Sequence, residues 1–285
     1  MDPRLAAVRG VFGVLGRTAP ALATALAARA FLHVGRPAPV RVADRPVHEE
    51  ARRGVLTRGG DEVATYAWGD PDAPAVLLVH GWQSRASAFG SLVTAVTGAG
   101  LRAVAYDAPA HGDSGGHVRT ALGDVEIISR LTDAEPGPWA GVVSHSFGSL
   151  AAGVAVRDGV PADRLAGIAS IAAFRFTEDL FVREIGLPRA LRARFTRAWE
   201  RRLQDDPAAT PGAADRFDLL ARPLPERVRA LWLHDVGDRM VPQSQSALLL
   251  GAHPHNGELV TTTGLGHSKI LGDAAVLTRV VDHLT

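Results

Sequence analysis

No cysteine occurs among the 285 residues. That excludes disulfides, thiolate nucleophiles and Cys-ligated zinc, and it leaves the compartment open. No charge of one sign prevails either. The 31 Lys and Arg face 30 Asp and Glu, for a net charge of +1, so there is no global basic field to hold nucleic acid, and no nucleic-acid partner is expected. The N-terminal region lacks a bilayer-length apolar run. Its longest uncharged stretch is 18–28, between Arg17 and Arg29, against about 20 residues for a spanning helix. Metal and phosphate motifs are missing as well. There is no H-E-x-x-H, the pair His253 and His255 is flanked by Pro254 and Asn256 in a loop, and the glycine-rich stretch 112–116 matches no phosphate cradle. Neither a metal nor a cofactor is expected. What is present is a globular composition, 46% apolar and 21% charged, with the length of two small units or of one α/β domain carrying an insertion.

Residues 1–50 read as a helical arm and linker. Leu5, Val8, Phe12 and Leu15 recur at helical spacing, Pro20 breaks the pattern, and an alanine-rich stretch 21–31 follows. Two short helices packed on the domain are expected, with membrane-surface contact through residues 1–32 as the alternative. Ala25-Leu26-Ala27 resembles a leader cleavage site, but Asp2 and Arg17 suit a leader badly; a cytoplasmic location is expected over secretion. Residues 36–46 (RPAPVRVADRP) read as an extended connector. The arm is expected to serve solubility or membrane contact and not the chemistry.

From Arg52 the pattern becomes strand, then alternating strand and helix. Strands are expected at 62–68, 75–79, 101–106, 140–144, 165–172, 230–234 and 259–263. Helices are expected at 86–97, 122–131, 147–157 and 270–284. Runs such as AVLLV at 75–79 suit strands buried on both faces, and the alternation predicts a mostly parallel sheet covered by helices. It lapses between about 174 and 229. That stretch reads as a helical insertion, punctuated by Pro188, Pro207, Pro211, Pro223 and Pro225. The core is then 51–173 with 230–285.

The sharpest chemical signal is Ser144-His145-Ser146-Phe147-Gly148, between a predicted strand and a predicted helix. This is the context of a nucleophile elbow, whose tight turn needs small residues two before and two after the nucleophile. Gly148 meets that need and Ser144, though not glycine, is small. Capping of a helix by Ser144 or Ser146 is the bland alternative. A serine nucleophile needs a base, and the base an orienting carboxylate. His267 follows the last strand in Gly264-Leu265-Gly266-His267, and Asp238 follows the preceding one; Asp235, three residues earlier, is the runner-up. Two N–H donors for an oxyanion are expected from Phe147, after the nucleophile, and Trp82, in the loop His80-Gly81-Trp82-Gln83.

These residues resemble the α/β-hydrolase superfamily over roughly 52–285. The resemblance rests on His80-Gly81-Trp82, the turn at 107–114 (DAPAHGDS, with Ala110 where the family has glycine), the elbow, the stretch from Gly237-Asp238 to Pro242, and Gly266-His267. It implies an eight-stranded α/β-hydrolase sheet with a helical lid after the sixth strand, and a structural role for His111. Serine at 146 argues against the branches that use aspartate there. The expected activity is hydrolysis of a carboxylic ester of a small-molecule acyl substrate through Ser146, Asp238 and His267. A thioesterase or lipid-acyl hydrolase is the nearest variant, and a non-catalytic ligand-binding relative is the competing class. Phe174, Phe176 and Phe181, with Leu187 and Leu191, are expected to face the acyl chain. The arginine-rich insertion reads as a solvated face, or as a lid attracting an anionic substrate such as the acyl thioester of a phosphorylated carrier. Oligomeric state is left open.

Overall fold

The computed structural model describes residues 3–203 and 213–285. Helices α1 (Pro3–Thr18), α2 (Pro20–Phe31) and the short α3 (Arg45–Glu49) precede strands β1 (Arg52–Arg58) and β2 (Asp61–Trp68). Then come β3 (Ala75–Val79), α4 (Gly90–Gly98), β4 (Arg102–Tyr106), α5 (Ala121–Asp133), β5 (Gly141–His145), α6 (Gly148–Arg157) and β6 (Arg164–Ile168). The stretch after β6 holds α7 (Phe174–Ile185), α8 (Arg192–Arg202) and α9 (Ala213–Arg216). The chain closes with β7 (Arg229–Asp235), α10 (Ser244–Ala252), β8 (Gly257–Thr262), α11 (Gly266–Lys269) and α12 (Ala274–Leu284).

The eight strands form one sheet in the order β1-β2-β4-β3-β5-β6-β7-β8. β2 runs antiparallel to β1 and β4, and every other pair is parallel. Period-2 alternation assigns the two faces of β3. Ala75, Leu77 and Val79 enter the core shared with α5, α6 and α10, whereas Val76 and Leu78 enter the one shared with α4 and α12. Both faces are covered, so β3 and β5 are buried throughout. The parallel register carries the ends of β3, β5 and β7 to one edge, where the loops that bear chemistry emerge.

Five local expectations need correction. The connector is extended only up to Arg41; Val42–Asp44 forms a 3-10 turn that runs into α3, because Asp44 pairs with Arg41 and Pro46 pre-sets the helical φ in the first turn. The strand expected over 165–172 stops at Ile168, since Ala169 adopts φ +51° and turns the chain out. The single helix expected over 270–284 is α12 preceded by a 3-10 turn. Asp273 caps α12 by accepting from the N–H groups of Ala275 and Val276, both at 3.1 Å. Helix α10 was not expected. Pro20 does not merely break the first helix; it opens α2 at its first turn.

Residues 174–203 and 213–228 lie between β6 and β7, and their two ends are stitched together. Phe174 N–H donates to Phe217 O (3.0 Å) and Leu219 N–H to Ala172 O (3.0 Å). Pro207 and Pro211 lie outside the described residues, as does Asp2. No helix among the described residues is long and apolar enough to cross a membrane.

Candidate active site

Strand β5 ends at His145, α6 begins at Gly148, and Ser146 makes the turn with φ +53°. An L-residue pays roughly 1–2 kcal/mol to sit there. The neighbours hold it: Ser146 N–H donates to Ile168 O (3.0 Å), and Ser149 Oγ donates to Ser146 O (2.6 Å). Gly148 is required by close approach, because a Cβ there would lie 2.5 Å from Val79 O. Ser144 is fully buried, small enough for the turn, and its hydroxyl has no hydrogen-bond partner among the described residues.

His267 sits on α11 and reaches back over the sheet. Its Nε2 is 3.0 Å from Ser146 Oγ and its Nδ1 is 2.7 Å from Asp238 Oδ2. Asp238 Oδ1 accepts from the N–H groups of Met240 (2.8 Å) and Val241 (3.0 Å). Burial opposes charge on Asp238, but hydrogen bonds from His234 and His267 and from the Val241 N–H outweigh it and hold the carboxyl well below the usual range. His234 is fully buried beneath this acid. Its Nε2–H points to Val241 O (2.9 Å) and lies 3.5 Å from Asp238 Oδ2, and its Nδ1 is hydrogen-bonded to Ser246 Oγ (2.7 Å).

Asp235 does different work. Its Oδ2 accepts from Thr262 Oγ1 and Leu265 N–H, both at 2.9 Å, which ties down the loop that delivers His267. His145 Nε2–H donates to His267 O (3.0 Å) from the other side. Burial, then the neighbouring His267, pushes the His145 imidazole down to about 4, so it stays neutral at pH 7.

The loop at 80–83 passes over the elbow. A Cβ on Gly81 would lie 3.0 Å from Ser146 Cβ. The buried Arg119 grips this loop from behind. Nη2 donates to His80 O and Nη1 to Gly81 O, each at 2.7 Å, while Nε and Nη2 bind Asp124 Oδ2 at 2.9 and 2.6 Å. In a trans peptide the C=O and the following N–H point opposite ways. Fixing Gly81 O toward Arg119 therefore turns the Trp82 N–H away from it. Among the described residues, no backbone carbonyl takes the N–H of Trp82 or of Phe147. His111 supports the same loop, as its Nε2 accepts from Gln83 N–H (3.0 Å). Burial and the Arg119 charge push that imidazole down to about 3, keeping the ring neutral and able to accept.

Two cavities meet at Ser146. The larger, about 630 Å³, has a cluster of rings in its wall, among them Phe31, Trp82, Phe147, Phe174, Phe181 and Trp199. The smaller, about 350 Å³, has a mixed lining that includes Arg41, Gln83, His145 and His267 beside Pro39, Met240 and Leu271. Of the phenylalanines expected at the acyl chain, Phe174 and Phe181 line the larger cavity and Phe176 does not. Phe174 and Phe181 are seven residues apart on α7 and share a face; Phe176 is two residues on from Phe174 and points away. Leu187 and Leu191 are also outside the lining, and Leu191 packs near Gly16 of the arm instead. Glu178, buried between α7 and α8, accepts from Trp199 Nε1 (2.9 Å) and Thr196 Oγ1 (2.5 Å) and so fixes the indole in the wall.

The arm does not stand apart from the site. Phe31, at the end of α2, packs against Phe174, Phe181, Phe195 and Trp199 with centroids 5.1 to 6.1 Å away. Residues 30–33 line the larger cavity and residues of the connector line the smaller one. The arm therefore builds part of both walls.

The family model described as alpha/beta hydrolase family matches residues 76–279. The chain belongs to the alpha/beta hydrolase family. No curated protein matches it in sequence. Similar solved structures include an esterase from Pyrococcus furiosus (TM-score 0.64, 16% identity, covering 89% of this chain and 96% of that one). A monoacylglycerol lipase from Paleococcus ferrophilus is also similar (TM-score 0.58, 19%, 78% and 99%), as is a thioesterase domain from the curacin biosynthetic pathway (TM-score 0.57, 16%, 82% and 99%). At these identities the likeness is one of fold.

In this alpha/beta hydrolase, sequence reasoning missed Arg119, Asp124, His234 and Phe31. The first three act on backbone carbonyls or on another side chain, and no local spacing marks such a role. Phe31 lies far along the chain from the elbow it neighbours. The aromatic end of an otherwise alanine-rich helix was the one available signal.

Proposed function

We propose that the protein is a serine hydrolase that cleaves carboxylic esters through an acyl-enzyme. The observation that carries this is the line from Ser146 Oγ through His267 to Asp238, with spacings of 3.0 and 2.7 Å. Ser146 Oγ attacks the acyl carbon while His267 Nε2 takes its proton. Asp238 holds Nδ1–H, which fixes the tautomer and stabilises the imidazolium. The N–H groups of Trp82 and Phe147 bind the oxyanion. On collapse His267 returns the proton to the departing alcohol, and water, deprotonated by the same nitrogen, then releases the acid.

The larger cavity suits the acyl chain, with Phe174 and Phe181 against it, and the smaller one suits the alcohol. Residues 174–203 and 213–229 act as a lid over Ser146. A thioester is the nearest variant substrate, since the same attack and the same oxyanion apply.

The test is a panel of p-nitrophenyl esters of increasing chain length, with Ser146→Ala as control. Hydrolysis that rises with chain length and vanishes in the variant supports the reading. Ligand binding without hydrolysis of any ester or thioester would favour a binding protein instead.

A further inference from the structure

Half of the exposed large apolar side chains among the described residues sit on α1 and α2. On α2, Leu22 and Leu26 are 51% and 43% exposed; on α1, Val11 and Val14 are 55% and 61% exposed. Leu22, Leu26 and Ala30 follow one another at four-residue spacing, so they form a single stripe along the helix. The stripe ends at the site: Ala30 is exposed and also lines the larger cavity. Helix α8 packs beside α2 and brings Arg197 and Arg201, both exposed, to the rim of the same cavity.

The charge on this side is one-signed. From residue 3 to residue 43 the chain carries no Asp or Glu, but it carries Arg9, Arg17, Arg29 and Arg36 among other arginines. A protein with net charge +1 has therefore gathered cations and exposed aliphatic groups on α1, α2 and the connector that follows them. Apolar surface of this kind marks an interaction face. Its partner must accept both buried alkyl groups and guanidinium ions. A second copy of the chain would press like charges together across a two-fold interface. An anionic bilayer satisfies both needs, taking the leucines and valines below the headgroups and the arginines at their level.

We propose that α1 and α2 form a docking face for an anionic phospholipid surface, with the Leu22–Leu26–Ala30 stripe leading from the bilayer to the larger cavity. An acyl chain leaving the membrane along this stripe would reach the cavity without crossing water. That delivery role rests on the hydrolase reading; the docking does not.

The experiment is flotation of the full-length protein with vesicles of phosphatidylcholine plus phosphatidylglycerol, and with phosphatidylcholine alone, using Ser146→Ala protein so that no lipid is consumed. The variants Leu22→Glu/Leu26→Glu and Val11→Glu/Val14→Glu change exposed positions outside the cavity lining, and circular dichroism checks that they fold. Binding to the anionic vesicles is expected, falling about tenfold or more in each double variant and on raising salt. Hydrolysis of a soluble short-chain ester by the same substitutions in the Ser146 background should be unchanged. No binding to anionic vesicles, equal binding to neutral ones, or equal binding by the variants would overturn the proposal. So would a wild-type dimer that the Leu22→Glu/Leu26→Glu change dissociates, since the face would then be a contact between copies. Vesicle binding by a protein that hydrolyses no ester would support the docking face while sinking the hydrolase reading.

Discussion

Ser146 is held by hydrogen bonds to named atoms, whereas the larger cavity beside it is held by ring edges against ring faces. Around the serine a single donor or acceptor sets each direction: Ile168 O for the elbow, Asp238 Oδ2 for the imidazole, Arg119 for the loop at 80–83. Around the cavity Phe31 touches four aromatic side chains, and apart from Glu178 on the Trp199 indole the wall rests on such ring contacts. Directional contacts are brittle, because removing one partner strands the other. Ring packing degrades gradually, each pair contributing about 0.5–1.5 kcal/mol beyond its buried area. Substitutions near the serine should therefore cost orders of magnitude in rate, and substitutions in the wall should change which substrate is preferred.

The largest effect belongs to Ser146→Ala, expected to lower kcat by roughly 10⁴ to 10⁶-fold with the fold retained. A variant with near-normal turnover would erase the contrast. Asp238→Asn comes next, at about 10⁴-fold in kcat, since the amide favours the wrong imidazole tautomer. Asp235→Asn should cost much less in rate, because Asp235 binds Thr262 and Leu265 and not the imidazole. Kinetics that reverse the two would move the acid by three residues.

A smaller effect is expected in the wall. Phe31→Ala should lower stability by about 2 kcal/mol and shift the preferred acyl chain toward longer or bulkier esters. Phe176→Ala, facing away from the cavity, should leave chain-length preference unchanged. A truncation beginning at Arg52 should lose that preference along with Phe31. If the truncated core kept the full-length profile, the arm would be dispensable after all.

A further effect concerns pH and acts on stability, not on rate. Burial, with His267 beside it, pushes the folded His145 imidazole down to about 4, against about 6.5 unfolded. The unfolded chain thus takes up this proton first, and stability that is full above about 6.5 is lost as the pH falls toward 4, on the order of 3 kcal/mol from this group. Denaturant titrations at a series of pH values should show that slope, to which the buried His80 and His111 also contribute, and His145→Gln should make it shallower.

The same contrast explains what could be read from the chain. Ser146, His267 and Asp238 are each announced by their own neighbours, since Gly148 is needed where the elbow passes close to Val79 O and the loops after β7 and β8 bear the other two. The sheet was equally legible, because strands buried on both faces read as short continuous apolar runs. Phe31 was not, since nothing within the alanine-rich α2 tells which distant rings it will meet. Neither was Arg119. One arginine among many looks like a surface cation until its guanidinium is found on His80 O and Gly81 O. The end of β6 at Ala169 was also hidden, as left-handed alanine is rare and leaves no sequence mark.

The central claim is that Ser146 is the group that becomes acylated. The most direct measurement is labelling of the wild-type protein with a fluorophosphonate, followed by intact-mass analysis and peptide mapping. The account predicts a single adduct on Ser146, and no adduct in the Ser146→Ala or His267→Ala proteins. An adduct on any other residue, or a wild-type protein that takes up no label while it hydrolyses esters, would contradict it.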